Sequence, residues 1–244
     1  MIQKEWFEEW FDTKFYHILY KKRDDDEARQ FIDNLAKTLQ FKQEQLFMDL
    51  ACGKGRHSIY LNAKGFDVIG LDLSQQNISH AKQFENDKLH FFEHDMRDVF
   101  AENKFDFVLN LFTSFGYFSD ESQNLLAVQA AAKALKPGGK LVLDYMNSSK
   151  AIATLAPYYE KEVDGILFKI SKIVEAGFIL KNIDFSFENK DYHFQERVKA
   201  ISLADFKAYF AASGLELLDV FGSYQLTDFH EETSNRMIFV AQKK

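Results

Sequence analysis

The 244-residue chain is 46% hydrophobic and carries a formal net charge of −7, which fits one large domain or a domain with an insertion. Its single cysteine, Cys52, excludes an internal disulfide, and no stretch approaches the roughly 20 apolar residues that a membrane span needs. Nucleic-acid binders usually present a basic face, and the acidic, aromatic N-terminus is unlike a signal peptide. We therefore expect a cytoplasmic protein without nucleic-acid or membrane partners.

Helical spacing of apolar side chains characterises the first part of the chain. It runs through residues 2–20 and again through residues 28–39. Acidic residues 24–26 precede the second stretch, as is favourable in the first turn of a helix. We predict a helical N-terminal cap over residues 1–40.

From residue 45 onward, apolar strands alternate with helices, which predicts a parallel sheet with helices on both faces. The predicted strands cover residues 46–50, 66–73, 89–95, 105–112 and 140–146. The predicted helices cover residues 56–64 and 75–85, and a third begins at Ser119 or Asp120 and ends near Lys136. Residues 137–139, Pro-Gly-Gly, are predicted to form a turn. This core is expected to span residues 41–158.

The pattern changes after residue 158. Strand-like segments at 166–174, 178–187 and 192–201 are separated by turns, which predicts an antiparallel meander. We interpret residues 159–201 as an antiparallel β insertion that acts as a lid over a site or as a dimer ribbon. Residues 202–244 are expected to complete the core, with a helix at 203–213 and strands at 215–221 and 236–242.

The run FMDLACGKGRHSIYL, residues 47–61, is an apolar strand carrying Asp49, followed by Gly53 and Gly55. A strand, a glycine-rich turn and a helix form a ligand site at the carboxyl ends of parallel strands. A P-loop would need a Gly-Lys-Ser/Thr ending, which is absent, and the dinucleotide pattern lacks its third glycine. The glycines alone therefore leave the ligand open.

Acidic and amide side chains follow the neighbouring strands. Asp72 ends the second strand, where a carboxylate accepts hydrogen bonds from ribose hydroxyls in nucleotide sites. Asp95 and Met96 follow the third strand and suit the edge and the face of an adenine. Asn110 lies in the fourth strand, and the turn at 137–139 leads into the fifth.

In this order, residues 45–146 resemble the class I S-adenosylmethionine-dependent methyltransferases. That resemblance implies a Rossmann-like seven-stranded α/β sheet whose last strand is antiparallel, with S-adenosylmethionine as cofactor. Ala51 replaces the first loop glycine of the family. The cofactor-binding residues implied are Asp49, Ala51, Gly53, Gly55, Asp72, Leu73, Asp95, Met96, Asn110, Leu111 and Phe112.

The flanking segments resemble those of small-molecule methyltransferases that act on amines, sugars or similar acceptors. In that architecture Tyr16 and His17, on the N-terminal helix, face the sulfonium or the methionyl carboxylate, and Tyr145, at the end of the fifth strand, points toward the acceptor. These three are the catalytic candidates. The histidines show no metal-ligand spacing, so we expect no metal.

Two other functions stay open at this stage. One is a nicotinamide-dependent oxidoreductase, and the other is a non-catalytic S-adenosylmethionine-binding protein, because a fold does not fix a function. The sequence leaves the acceptor, the methylated atom, the use of a general base and the choice between monomer and homodimer undetermined.

Overall fold

The structure, a computed structural model, describes residues 10, 11, 13–21, 25–118 and 120–244. Within the predicted N-terminal helix, the described part has helix α1 at Lys14–Leu19. It begins there because the Thr13 backbone is extended and its hydroxyl accepts a hydrogen bond from the amide of Tyr16. Helix α2 follows at Asp25–Thr38. Residues 1–9, Asp24 and the candidate cap Ser119 lie outside the described residues.

The main sheet has seven strands in the order β10-β11-β5-β4-β1-β2-β3. Strands β1 to β5 pair in parallel, and β11 runs antiparallel to β5 and to β10. This confirms the predicted seven-stranded sheet with an antiparallel last strand. The strands are β1 Leu46–Leu50, β2 Asp67–Asp72, β3 Leu89–Glu93, β4 Phe105–Asn110, β5 Leu135–Met146, β10 Leu215–Phe221 and β11 Arg236–Lys243.

Helices cover both faces of the main sheet, as predicted. Alternation along β1 sends Phe47 into the cluster that contains Phe31 of α2, and Met48 into the cluster that contains Phe206. Asp120 caps the helix after β4 by accepting a hydrogen bond from the amide of Ser122. The remaining helices are α3 Arg56–Ala63, α4 Gln75–Ala81, α5 Glu121–Ala134, α6 Ser148–Ala153 and α7 Leu203–Ala212, with a short 3₁₀ turn at Lys82–Phe84.

The Pro-Gly-Gly segment at 137–139 lies inside β5 and is not a separate turn. Gly138 has a positive φ of 78°, and the pairing with β4 shifts register between Phe105 and Phe107. The segment is therefore an irregularity in the strand, which corrects the predicted start of the fifth strand at residue 140.

A second sheet has four antiparallel strands in the order β6-β7-β8-β9. The predicted meander corresponds to β7–β9, and β6 was missed because its sequence, YYEKEV, shows little apolar alternation. The buried face of this second sheet packs against Trp10, Phe15 and Leu19. The strands are β6 Tyr158–Val163, β7 Ile166–Glu175, β8 Phe178–Phe187 and β9 Lys190–Lys199.

Each helix in the described part of the chain falls short of the length and apolar content that crossing a bilayer would require.

Candidate active site

A cavity of about 660 Å³ lies at the carboxyl ends of β1 to β4, where the strand order reverses. This volume is within the usual range of small-molecule sites. The wall comes from the N-terminal segment, the loop after β1 and the segments after β2, β3 and β4. Among the described residues, none of the second sheet lines it. Ten of the site residues predicted from the sequence line the cavity: Tyr16, His17, Ala51, Gly53, Asp72, Leu73, Asp95, Met96, Leu111 and Phe112.

The loop after β1 turns sharply through left-handed backbone conformations. Ala51 and Gly53 have φ values of 60° and 57°, and the amide of Cys52 donates to the carbonyl of Leu71 at 2.9 Å. Gly53 lines the cavity, and a Cβ added there would meet no atom within 4 Å. A ligand can therefore approach the backbone closely at Gly53.

Gly55 has a different role from the one predicted. Its φ is 84°, it precedes α3, and it is not among the lining residues. A Cβ there would lie 2.7 Å from the ring of Phe91 in β3. The structure thus corrects the prediction: Gly55 is needed for helix α3 to pack against β3, and the backbone at which a ligand can approach is Gly53.

These two glycines make a matched pair of variants. We expect Gly55→Ala to lower the melting temperature strongly, because it adds a clash with Phe91 to the cost of about 1–2 kcal/mol for a left-handed non-glycine residue. Gly53→Ala adds only the free-energy cost of the left-handed backbone, without a clash. We expect this variant to lose mainly ligand affinity. Melting curves and ligand titrations of both variants would contradict this if Gly53→Ala were the less stable protein.

Asp72 is held in a fixed orientation at the end of β2. Its Oδ2 accepts from the amide of Gly53 at 2.8 Å, and its Oδ1 accepts from the amide of Ser74 at 2.9 Å. The carboxylate lines the cavity beside the partly exposed Leu73. The Gly53 amide thus ties the end of β2 to the glycine loop, and the Ser74 amide fixes the orientation of the carboxylate.

Asp95 and Met96 line the cavity after β3, as predicted. Asp95 binds the guanidinium of Arg97, whose Nε lies 2.9 Å and 3.0 Å from the two carboxylate oxygens. Burial alone would raise the pKa of Asp95, but the hydrogen bonds from Arg97 outweigh burial and lower that pKa. Arg97, which also packs over the ring of Phe118, was not predicted from the sequence.

Asp49 and Asn110 lie behind the cavity wall, which corrects their expected place beside the cofactor. Asp49 is 1% exposed and accepts a hydrogen bond from the hydroxyl of Ser58 at 2.6 Å. Asn110 is also buried, and its amide donates to the carbonyls of Leu50 and Ser114 at 2.9 Å and 3.2 Å. Neither residue lines the cavity. Through these hydrogen bonds, both instead support the loops that do line it.

Burial, with a smaller contribution from the charge of Asp72, raises the pKa of Asp49 from 3.8 to about 6. The unfolded chain releases this proton first, so Asp49 reduces the stability of the folded protein progressively from about pH 4 to pH 6 and fully above. We expect Asp49→Asn, which can still accept from Ser58, to raise the melting temperature at pH 8 more than at pH 4. If the variant and the wild type differed in melting temperature by the same amount at both pH values, the raised pKa of Asp49 would be contradicted.

The loop after β4 is held in a strained conformation by a buried ion pair. Phe112 and Thr113 have φ values of 59° and 60°. The fully buried Asp144 accepts from the amide of Phe112 at 2.8 Å and from Nε of Arg236 at 2.8 Å. The same guanidinium donates to the hydroxyl of Thr113 at 2.7 Å. This clamp fixes Leu111 and Phe112 against the cavity.

Aromatic side chains line another part of the cavity wall. Tyr16 and His17 lie there with Phe11, Tyr20 and Tyr117. The ring centroids of Tyr16 and Tyr20 are 4.9 Å apart, and those of Phe11 and Tyr117 are 5.4 Å apart.

Tyr145 does not reach the cavity, which corrects its predicted place facing the acceptor. It is fully buried, packs against Phe206, and donates its hydroxyl to the carbonyl of Lys199. Burial raises its pKa well above the usual value. Alternation along β5 directs this side chain to the core face of the sheet, where it ties β5 to the end of the second sheet.

His57 lines the cavity at the start of α3 and was not predicted as a site residue. It is 7% exposed, its ring centroid lies 4.9 Å from that of Phe112, and its Nε2 is buried without a hydrogen-bond partner. Burial, with the neighbouring Arg56 charge, lowers its pKa to about 3. The imidazole is therefore neutral near pH 7. No group of three or more His, Cys, Asp or Glu within the described ranges could hold a metal ion.

The family comparison matches this part of the chain. The protein-family model described as "Methyltransferase domain" covers residues 47–139, from β1 into β5. Residues 47–139 therefore match this methyltransferase-domain family. The glycine loop, Asp72, Asp95 and Phe112 all lie within this methyltransferase domain.

Relatives of known name match about half of this chain. A dTDP-3-amino-3,4,6-trideoxy-alpha-D-glucopyranose N,N-dimethyltransferase of Streptomyces venezuelae is 33% identical over 132 residues, 53% of this chain and 54% of that protein. Glycine N-methyltransferase of Mus musculus is 31% identical over 124 residues, 44% of this chain and 42% of that protein. The chain thus spans about half the length of these curated relatives.

A likeness over nearly the whole chain comes from solved structures. An S-adenosylmethionine-dependent methyltransferase of Clostridium acetobutylicum superposes with a TM-score of 0.79 at 20% identity, covering 94% of this chain and 96% of that one. The methyltransferase domain and its flanking segments therefore share this fold.

Proposed function

We propose that this protein transfers a methyl group from S-adenosylmethionine to a small-molecule acceptor. The observation that carries the proposal is the Asp72 carboxylate, held by the amides of Gly53 and Ser74 at the cavity edge beside the open side of Gly53. A fixed acceptor of hydrogen bonds next to a closely approachable backbone suits a ribose joined to a narrow polar chain.

The lining residues fit the parts of this cofactor. Asp72 would accept hydrogen bonds from the ribose hydroxyls, while Asp95, Met96 and Leu73 would surround the adenine. Ala51 and Gly53 would lie along the methionyl part, with Leu111 and Phe112 held by the Asp144–Arg236 clamp. Asp49, Gly55 and Asn110 would support these contacts from behind the wall.

The aromatic side of the cavity would receive the acceptor. When bound, the cofactor supplies a sulfonium methyl group that is already a strong electrophile. The chain would then align the acceptor and exclude water, for which Tyr16 and His17 with their aromatic neighbours are placed. Their ring faces can also stabilise positive charge. Because its pKa is about 3, His57 would act as a neutral hydrogen-bonding group and not as a base near pH 7.

Residues 1–40 act as a cap in this proposal, residues 41–158 and 202–244 as the cofactor-binding core, and residues 159–201 as support for the cap. The relatives named above act on an amino sugar nucleotide and on glycine, so amines are the first acceptors to test. A cytoplasmic location, a monomer or homodimer, and the lack of a nucleic-acid partner stay predictions.

The test is transfer of a labelled methyl group from S-adenosylmethionine to a panel of amine, hydroxyl and thiol acceptors, including amino sugars and glycine. We expect turnover with at least one acceptor and formation of S-adenosylhomocysteine in equal amount. Tight cofactor binding without turnover on a broad panel would favour the non-catalytic alternative and contradict the proposal.

A further inference from the structure

The N-terminal segment, residues 10, 11 and 13–21, lies between the cavity and the second sheet. Phe11, Tyr16, His17 and Tyr20 line the cavity. The same segment packs through Trp10, Phe15 and Leu19 on the apolar face of the second sheet. Within the described part of the chain, the second sheet contributes no lining residue and reaches this side of the cavity through the segment, and not as the direct roof that an insertion at this end of the main sheet suggested.

Directional contacts also join this segment to the second sheet. On the exposed surface Lys21 pairs with Asp164, between β6 and β7, at 2.9 Å, and Lys161 of β6 donates to the carbonyl of Leu19 at 2.7 Å.

The contacts that are withheld from water converge on one carboxylate. Glu196, on β9, accepts from the indole Nε1 of Trp10 at 2.8 Å. Both of its oxygens accept from the hydroxyl of Tyr20, at 2.6 Å and 2.7 Å. Lys181 of β8 lies 3.4 Å from Glu196, donates to the Tyr20 hydroxyl, and is placed over the Tyr20 ring.

This cluster is largely withheld from water. The side chains of Glu196 and Lys181 are 13% and 12% exposed. Burying a carboxylate is costly unless hydrogen-bond donors and an opposite charge surround it, and here two of the donors to Glu196 come from the N-terminal segment. If that segment left its place, Glu196 would lose the Trp10 and Tyr20 donors together.

The apolar contacts of the segment and this cluster restrict different motions. Packing of Phe15 and Leu19 is non-directional and permits small rotations of α1. The hydrogen bonds to Trp10 and Tyr20 fix both ends of the segment, one on each side of α1. Because the Tyr16 ring contacts that of Tyr20, this also fixes the side chains that face the cavity.

We infer that Glu196 is a positioning residue for the acceptor side of the cavity. It holds Trp10 and Tyr20, and through them it places Tyr16 and His17, although it does not line the cavity itself. The second sheet thereby controls acceptor binding from a distance. The expected effect on acceptor KM rests on the proposed methyl transfer. The expected effect on the conformation of the N-terminal segment does not.

The test compares Glu196→Gln with Glu162→Gln, a matched change of an exposed glutamate on β6 of the same sheet. We expect Glu196→Gln to raise KM for the acceptor about tenfold, because Trp10 and Tyr20 would then donate to a neutral amide oxygen in place of a charged carboxylate, and the second acceptor oxygen is lost. The affinity for S-adenosylhomocysteine should change less than about twofold. Tyr20→Phe should have a similar effect, and the double variant should be no worse than Glu196→Gln alone.

Hydrogen exchange of the peptide that covers residues 13–21 gives a readout that needs no turnover. We expect faster exchange there in Glu196→Gln and in Tyr20→Phe, and unchanged exchange in Glu162→Gln. Unchanged exchange in the first two variants would overturn the inference, and so would faster exchange with an unchanged acceptor KM. If no acceptor is turned over by the wild type, the proposed function fails while the exchange experiment still decides whether Glu196 holds the segment. Should Glu196→Gln fail to fold, Tyr20→Phe, which removes only a hydroxyl, carries the same test.

Discussion

Replacing Asp72 with alanine is expected to weaken binding of S-adenosylhomocysteine by about ten- to a hundredfold. The change removes a charged acceptor of hydrogen bonds, which contributes about 1.5–3 kcal/mol. It also releases the amides of Gly53 and Ser74, so the glycine loop loses one of its two hydrogen bonds to the end of β2 and keeps the one from Cys52 to Leu71. Calorimetric titration of the variant and the wild type measures the effect, and Asp72→Asn, which keeps one acceptor oxygen, should lie between them.

Asp67→Ala is the matched control for this prediction. Asp67 lies at the opposite end of the same strand, where it makes a surface ion pair with Lys88 at 3.2 Å. Such pairs contribute little to stability, and Asp67 is not among the cavity-lining residues, so ligand affinity should be unchanged. If Asp72→Ala bound the ligand as tightly as Asp67→Ala, Asp72 would not be the ribose-binding group.

Arg236→Leu should be the most destabilising of the substitutions considered. It leaves the fully buried Asp144 without its counter-charge, and breaking a buried pair from one side costs roughly 3–5 kcal/mol. For a chain of this size that corresponds to a fall in melting temperature of about 6–20 °C. The loop at Phe112 and Thr113 should also lose its fixed conformation, so cofactor affinity should fall as well.

Two further variants distinguish the effect of leaving a buried charge unpaired from the effect of removing any arginine. Arg29→Leu removes an exposed arginine that lies 3.9 Å from Asp26, and should change stability by less than about 0.5 kcal/mol. Adding Asp144→Asn to Arg236→Leu removes the unpaired charge and should recover part of the lost stability. If the Arg236→Leu variant had the same melting temperature as the wild type, the prediction would be wrong, and Asp144 would not depend on Arg236 for its counter-charge.

The sequence predicted those site residues that lie at strand ends. Asp72 and Asp95 could be placed because the carboxyl ends of parallel strands meet at one edge of a sheet, and both line the cavity. A local pattern does not say toward which side a residue points. Gly53 and Gly55 look equivalent in the sequence, yet one faces open space and the other the ring of Phe91. For the same reason Tyr145 was expected in the cavity and lies in the core.

The contacts that hold the site together could not be predicted, because they join residues distant in sequence. Arg236 and Asp144 are 92 positions apart, and Tyr20 and Glu196 are 176 positions apart. Each is an ordinary charged or polar residue in its own segment. Only the folded chain shows that Asp144 and Glu196 are carboxylates withdrawn from water, each anchoring a segment that lines the cavity.

Side-by-side calorimetric titrations of the wild-type protein with S-adenosylhomocysteine and with NAD test the assignment of the cavity most directly. Asp72, the open side of Gly53 and the segment after β3 lead us to expect one molecule of S-adenosylhomocysteine bound per chain and no measurable heat from NAD. The nicotinamide alternative predicts the reverse. No binding of S-adenosylhomocysteine at millimolar concentration, or binding of NAD that Asp72→Ala abolishes, would contradict the assignment.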